Sequence, residues 1–172
     1  MVFDKIMFKY LRKKITIKKN KSILFNIKTS EPTNYSNIQM ASQQSPQIIL
    51  PHLNWSIARL KEVIEKEDTD YYRGAALQRF RLTYEVALKA IRAFAEQEGK
   101  SFSSDESCFQ WIEEKEWLKK KSDWITVIQN YKKVKSISEE KIRDNTYNQL
   151  QAHYALLDYM KESMSLALNK ML

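Results

Sequence analysis

From His52 to the carboxyl terminus the chain has no proline, and its 172 residues include two glycines, so almost nothing in the last two-thirds interrupts a helix. All three prolines (Pro32, Pro46, Pro51) lie at or before position 51. Strand-rich folds need turn residues about every 8 to 12 positions. This chain does not supply them. The pattern predicts an all-α body, an antiparallel four- to five-helix bundle whose apolar stripes are buried against one another.

The longest stripe runs from Tyr71 to Gly99. Leu77, Phe80, Tyr84, Leu88, Ile91 and Ala95 recur at steps of three or four, as one face of a helix requires. Arg81, Glu85, Lys89, Arg92 and Glu96 alternate in sign on another face, which reads as the solvated side. Gly99 supplies the left-handed residue that closes the helix. Upstream, Leu53, Ile57, Leu60 and Ile64 mark a helix from Asn54 to Glu67 whose start is placed by Pro51. Downstream, Ser103 and Glu106 form a capping box that opens a helix through Lys121, with Phe109, Ile112, Trp117 and Leu118 turned inward. A short segment follows over Trp124–Ile128. The last helix covers Asn148–Leu168, and a second box at Ser136 and Glu139 offers it an earlier start.

The net charge of +8 describes one end of the chain. Residues 1–30 hold nine Lys/Arg and a single acid, Asp4, while the remainder holds 20 bases and 20 acids. Residues 31–51 turn to Ser, Thr, Asn, Gln and Pro. Residues 1–51 therefore read as a flexible basic tail and polar linker, and residues 52–172 as the helical domain. The first segment lacks the apolar core of roughly 7 to 15 residues that a secretory signal needs. Met40 marks where a shorter chain would begin. No stretch approaches the roughly 20 apolar residues that span a bilayer, and the expected location is the cytoplasm.

Chemistry-bearing constellations are few. Cys108 is the single cysteine, so no intramolecular disulfide forms, and a zinc site would need that thiol with two distant histidines, His52 and His153. No metal or cofactor is expected. Two glycines cannot build a phosphate-cradling loop. Glu113, Glu114 and Glu116 between Trp111 and Trp117 read as a solvated face. His153, next to a stripe tyrosine, reads as a hydrogen-bonded wall residue in preference to a base. The four tryptophans (55, 111, 117 and 124) fit core packing and a dimer interface better than base stacking. Lys119–Lys121 with Lys132, Lys133 and Lys135 make the one anion-facing surface of the body.

Leu77, Gln78, Arg79, Phe80, Leu82, Thr83, Tyr84, Glu85, Val86, Ala87, Leu88 and Lys89 resemble the signature of the nucleotidyltransferase substrate-binding family, a branch of the HEPN superfamily of helical bundles. Two unrelated amphipathic helices would share the apolar positions but not Gln78, Arg79, Thr83, Glu85 and Lys89 together. Helix order, the Gly99 stop and the Ser103–Ser104 opening extend the resemblance over residues 53–172. It implies a bundle that dimerises and pairs with a small separate nucleotidyltransferase, in the manner of a toxin–antitoxin pair.

Many HEPN proteins are ribonucleases with an Arg-x(4–6)-His motif near the last helix, often continued to a tyrosine that the partner modifies with AMP. The matching element here is Asn145-Thr146-Tyr147-Asn148, with Asn145 in the histidine's place and Ser138, Glu139 and Glu140 where the arginine belongs. Arg143 is too near, and Arg143 to His153 too far. Asparagine does not titrate, and two glutamates repel a phosphate. No catalytic residue is assigned. Arg143, Asn145, Tyr147 and His153 remain as binding candidates for a nucleotide or RNA. The expected function is a dimeric, non-catalytic partner subunit of a nucleotidyltransferase. The alternatives are an HEPN-type ribonuclease toxin and a basic-tailed adaptor for RNA or a membrane surface.

Overall fold

The computed structural model describes residues 45–119, 123–136 and 140–171, with backbone alone at 140–143 and 171. Among these residues there are six helices and no strand: α1 Pro46–Ile64, α2 Asp70–Gln97, α3 Asp105–Glu114, α4 Trp124–Ser136, α5 Glu140–Tyr147 and α6 Leu150–Met171. The all-α bundle is as expected, with more helices than the pattern predicts. The basic segment 1–30, linker residues 31–44 and Lys120–Lys121 lie outside the described residues.

Helix α1 begins at Pro46, not Asn54, so residues 46–51 are helix and not linker. Pro46 sits in the first turn, where its missing N–H is not needed. Pro51 lies inside the helix and faces solvent, giving up the bond to the Gln47 carbonyl. Burial of Ile49, Leu50 and Leu53 against the bundle offsets that loss.

Helix α2 is the hub, touching each of the other five. Thr69 caps it, its Oγ1 accepting the Tyr72 N–H at 3.3 Å. At the far end Gly99 takes φ 71°, and the Lys100 N–H reaches back to the Ala95 carbonyl at 2.9 Å. That is the glycine closure expected from sequence. Phe80, Tyr84, Ile91 and Phe94 are buried from this helix, and α1 and α6 pack against each other beside it.

Further boundaries differ from the sequence expectation. The cap of α3 is Ser104, whose Oγ accepts the Ser107 N–H at 3.1 Å, and Glu106 pairs with Lys132 instead of closing a box at Ser103. The helix stops at Glu114, short of Lys121, because Glu116 turns left-handed at φ 58° and the Trp117 N–H bonds the Ile112 carbonyl. Trp117 and Leu118 thus reach the core from beyond the helix. The Trp124 segment continues to Ser136, whose hydroxyl donates to the Lys132 carbonyl at 2.8 Å and so finishes α4 instead of opening the last helix. The Asn145–Tyr147 element falls on the separate helix α5, and α6 starts at Leu150.

A column of rings joins α2, α3 and α4. Tyr131 stacks on Tyr84 with centroids 4.0 Å apart, Tyr84 on Phe109 at 6.0 Å, and Phe109 on Trp124 at 6.0 Å. Each polar ring has a carboxylate. The Tyr84 hydroxyl donates to Asp105 at 2.9 Å, Tyr131 to Glu85 at 3.1 Å, and the Trp124 indole N–H to Glu113 at 3.1 Å. Arg92 holds the second Asp105 oxygen at 3.2 Å. Glu85, Arg92 and Glu113, expected on solvated faces, therefore fasten neighbouring helices. Burial, reinforced by Asp105, pushes the Tyr84 phenol far above its ordinary pKa.

Candidate functional site

His153 enters the core from the first turns of α6 and is 4% exposed. Its ring stacks on Phe80 of α2, with centroids 5.2 Å apart and planes at 28°. Across the seam, Asn130 of α4 approaches the imidazole Nε2 with its amide nitrogen at 2.8 Å. The same nitrogen donates to Gln149 Oε1 at 2.6 Å, while the Lys133 ammonium faces Asn130 Oδ1 at 3.5 Å. These contacts orient the amide with its nitrogen toward the ring. Nε2 therefore accepts, and the neutral imidazole carries its proton on Nδ1. Burial pushes the His153 pKa down to about 4, against a smaller opposing pull from Asp123.

Such a histidine is poorly suited to proton transfer. A general base needs a free lone pair within hydrogen-bond reach of its substrate. Here Nε2 is occupied by Asn130 and the ring is closed in by aromatic and aliphatic packing. The wall role expected from sequence describes it well, although its face is fully inward.

The remaining candidates belong to α5. Tyr147 ends α5 half-buried, with the Arg73 guanidinium 5.4 Å from its ring centroid. Arg73 is held by Asp68, at 2.5 and 2.7 Å, and by Asp144 of α5 at 3.1 Å. The Asp68 carboxylate bound to Arg73 is thereby kept below its ordinary range. Asn145 is exposed, and between it and Tyr147 the buried Thr146 hydroxyl has no hydrogen-bond partner among the described residues. The Arg143 side chain lies outside the described residues. Among the described residues no hydrogen bond joins Asn145, Tyr147 and His153.

Three exposed lysines of the run have neighbours on the body. Lys132 binds Glu106 at 2.8 Å, Lys133 faces Asn130, and Lys135 lies 5.7 Å from the Tyr131 ring. Among the described residues no three His, Cys, Asp or Glu side chains gather as a metal site, and no helix is long and apolar enough to cross a membrane.

Sequence reasoning missed Asn130, Gln149 and Arg73. Asn130 adjoins the stripe of Trp124, Val127, Ile128 and Tyr131, and a polar residue at the margin of an apolar face was the available signal. Nothing in spacing paired it with a histidine two helices later. No family model matches this chain, and no curated protein matches it in sequence.

Proposed function

We propose that this chain is a non-catalytic binding subunit, the homodimeric partner of a small separate nucleotidyltransferase in the cytoplasm. The reading rests on the resemblance of Leu77–Lys89, and the observation that carries its non-catalytic part is the condition of His153. The imidazole is buried, neutral and bonded to Asn130. A ribonuclease needs a group that shuttles protons at a scissile phosphate. A binding subunit needs surface.

Surface is present on α1. Trp55 is 56% exposed and Ile48, two turns earlier on the same face, 55% exposed. Arg59 lies 5.6 Å from the Trp55 ring centroid. Tryptophan and arginine together are typical anchors of protein interfaces. Asn145, exposed beside Tyr147, gives nucleotide or RNA a separate point of contact.

The test is co-purification of the tagged full chain with the nucleotidyltransferase encoded beside it, with Trp55→Glu as the variant expected to lose the dimer or the partner. The same preparation is incubated with RNA, which should stay intact. Cleavage by the wild-type chain that disappears in Arg143→Ala or His153→Gln would overturn the proposal in favour of the nuclease.

A further inference from the structure

The Tyr84–Tyr131 pair has no part in the proposed binding role. Its rings lie nearly parallel, 4.0 Å between centroids and 21° between planes, closer than the other ring pairs found among the described residues. The two residues are 47 positions apart and belong to α2 and α4. Each phenol points its proton at a different carboxylate, Tyr84 at Asp105 and Tyr131 at Glu85. Tyr84 is fully buried and Tyr131 is 8% exposed, so one ring is sealed and the other sits at the rim. Loss of an electron from a phenol makes its proton strongly acidic. A carboxylate already accepting that hydrogen bond takes the proton without any group having to move.

We propose that Tyr84 and Tyr131 are an oxidative cross-linking site, which a one-electron oxidant converts to an intrachain dityrosine tying α2 to α4. Each tyrosine gives one electron to the oxidant and its phenolic proton to its carboxylate, Asp105 or Glu85, and becomes a neutral radical. The two radicals join through ring carbons beside the oxygens, forming one carbon–carbon bond. The hydrogens on those carbons then move to the oxygens, restoring both phenols. The net change is loss of two electrons and two protons, with no atom added. Tyr131, at the rim, is the ring able to tilt as the stacked pair becomes a biaryl.

The geometry makes a discriminating claim, because exposure alone favours a different residue. Tyr71 is 77% exposed and adjoins Tyr72 at 5.2 Å. Random oxidation would couple Tyr71 between chains or to its neighbour. In the test, the dilute full-length chain is illuminated with a ruthenium tris-bipyridyl complex and persulfate, which together generate a one-electron oxidant. Blue dityrosine fluorescence, electrophoretic migration and mass spectrometry of the digest are then read.

The expected result is a monomeric product two hydrogens lighter, whose linked peptide joins Tyr84 to Tyr131. Tyr131→Phe should lose that peptide while circular dichroism shows the helices intact. Glu85→Gln, which keeps the hydrogen bond and removes the base, should lower its yield severalfold. The linked chain should also unfold at higher urea than the unlinked one, because a long loop is closed. Links confined to Tyr71 or formed between chains would overturn the proposal. So would the same Tyr84–Tyr131 yield from urea-unfolded chain.

Discussion

The seam between α1 and α2 and the seam between α4 and α6 are built on opposite plans. The first is largely apolar, with Leu53, Ile57 and Leu60 buried, and its polar contacts centre on one pair: the Ser56 and Thr83 hydroxyls lie 2.9 Å apart and the Thr83 hydroxyl donates to the Ser56 carbonyl at 3.2 Å. The second is held by an amide–imidazole cluster, Asn130 with His153 and Gln149, at 2.8 and 2.6 Å. Apolar burial is tolerant of direction, whereas a buried polar cluster stabilises only while every donor meets an acceptor. The first seam should therefore respond to lost volume, and the second to lost partners and to pH.

The largest effect is expected at Phe80, which faces both plans through its contacts with Tyr84 and His153. Phe80→Ala should cost about 3–5 kcal/mol in urea unfolding. A loss below about 1 kcal/mol would mean that the core around it repacks freely, and the distinction between the seams would fail.

Acid separates the seams next. The His153 pKa is about 4 in the folded chain, and an unfolded histidine titrates near about 6.5. Between these values the unfolded chain binds the extra proton, so stability is complete above about 6.5 and falls as pH drops toward 4. The full span amounts to about 3 kcal/mol. Urea midpoints from pH 7 to pH 4 should therefore fall more steeply for the wild type than for His153→Gln. Parallel curves would remove the histidine from the account.

Asn130→Ala leaves Nε2 of His153 and the Gln149 carbonyl oxygen without their donor, which should cost about 1–3 kcal/mol. Thr83→Val combined with Ser56→Ala, which removes both hydroxyls of the α1–α2 contact together, should cost less than Asn130→Ala. The smallest expected change is a gain. Thr146 buries a hydroxyl with no partner among the described residues, so Thr146→Val should raise stability by about 1 kcal/mol. A loss on that substitution would show that the hydroxyl is satisfied by water in solution.

The same division explains what was legible from the amino acids. Periodicity found the stripe of α2 and the glycine that ends it, because apolar spacing and left-handed backbone are local properties. It missed the early start at Pro46, since Pro51 reads as a helix boundary yet lies inside the helix. It overran α3, since Glu116 adopts a conformation usually left to glycine. Charges assigned to solvent, Glu85 and Arg92 among them, fasten tyrosine and aspartate on other helices. Pairings across helices depend on how the helices dock.

The position of α2 among its neighbours bears on how the molecule breathes. A helix touched by all the others cannot be released by partial opening at one edge. Its central amides should therefore exchange with solvent only when the whole bundle comes apart.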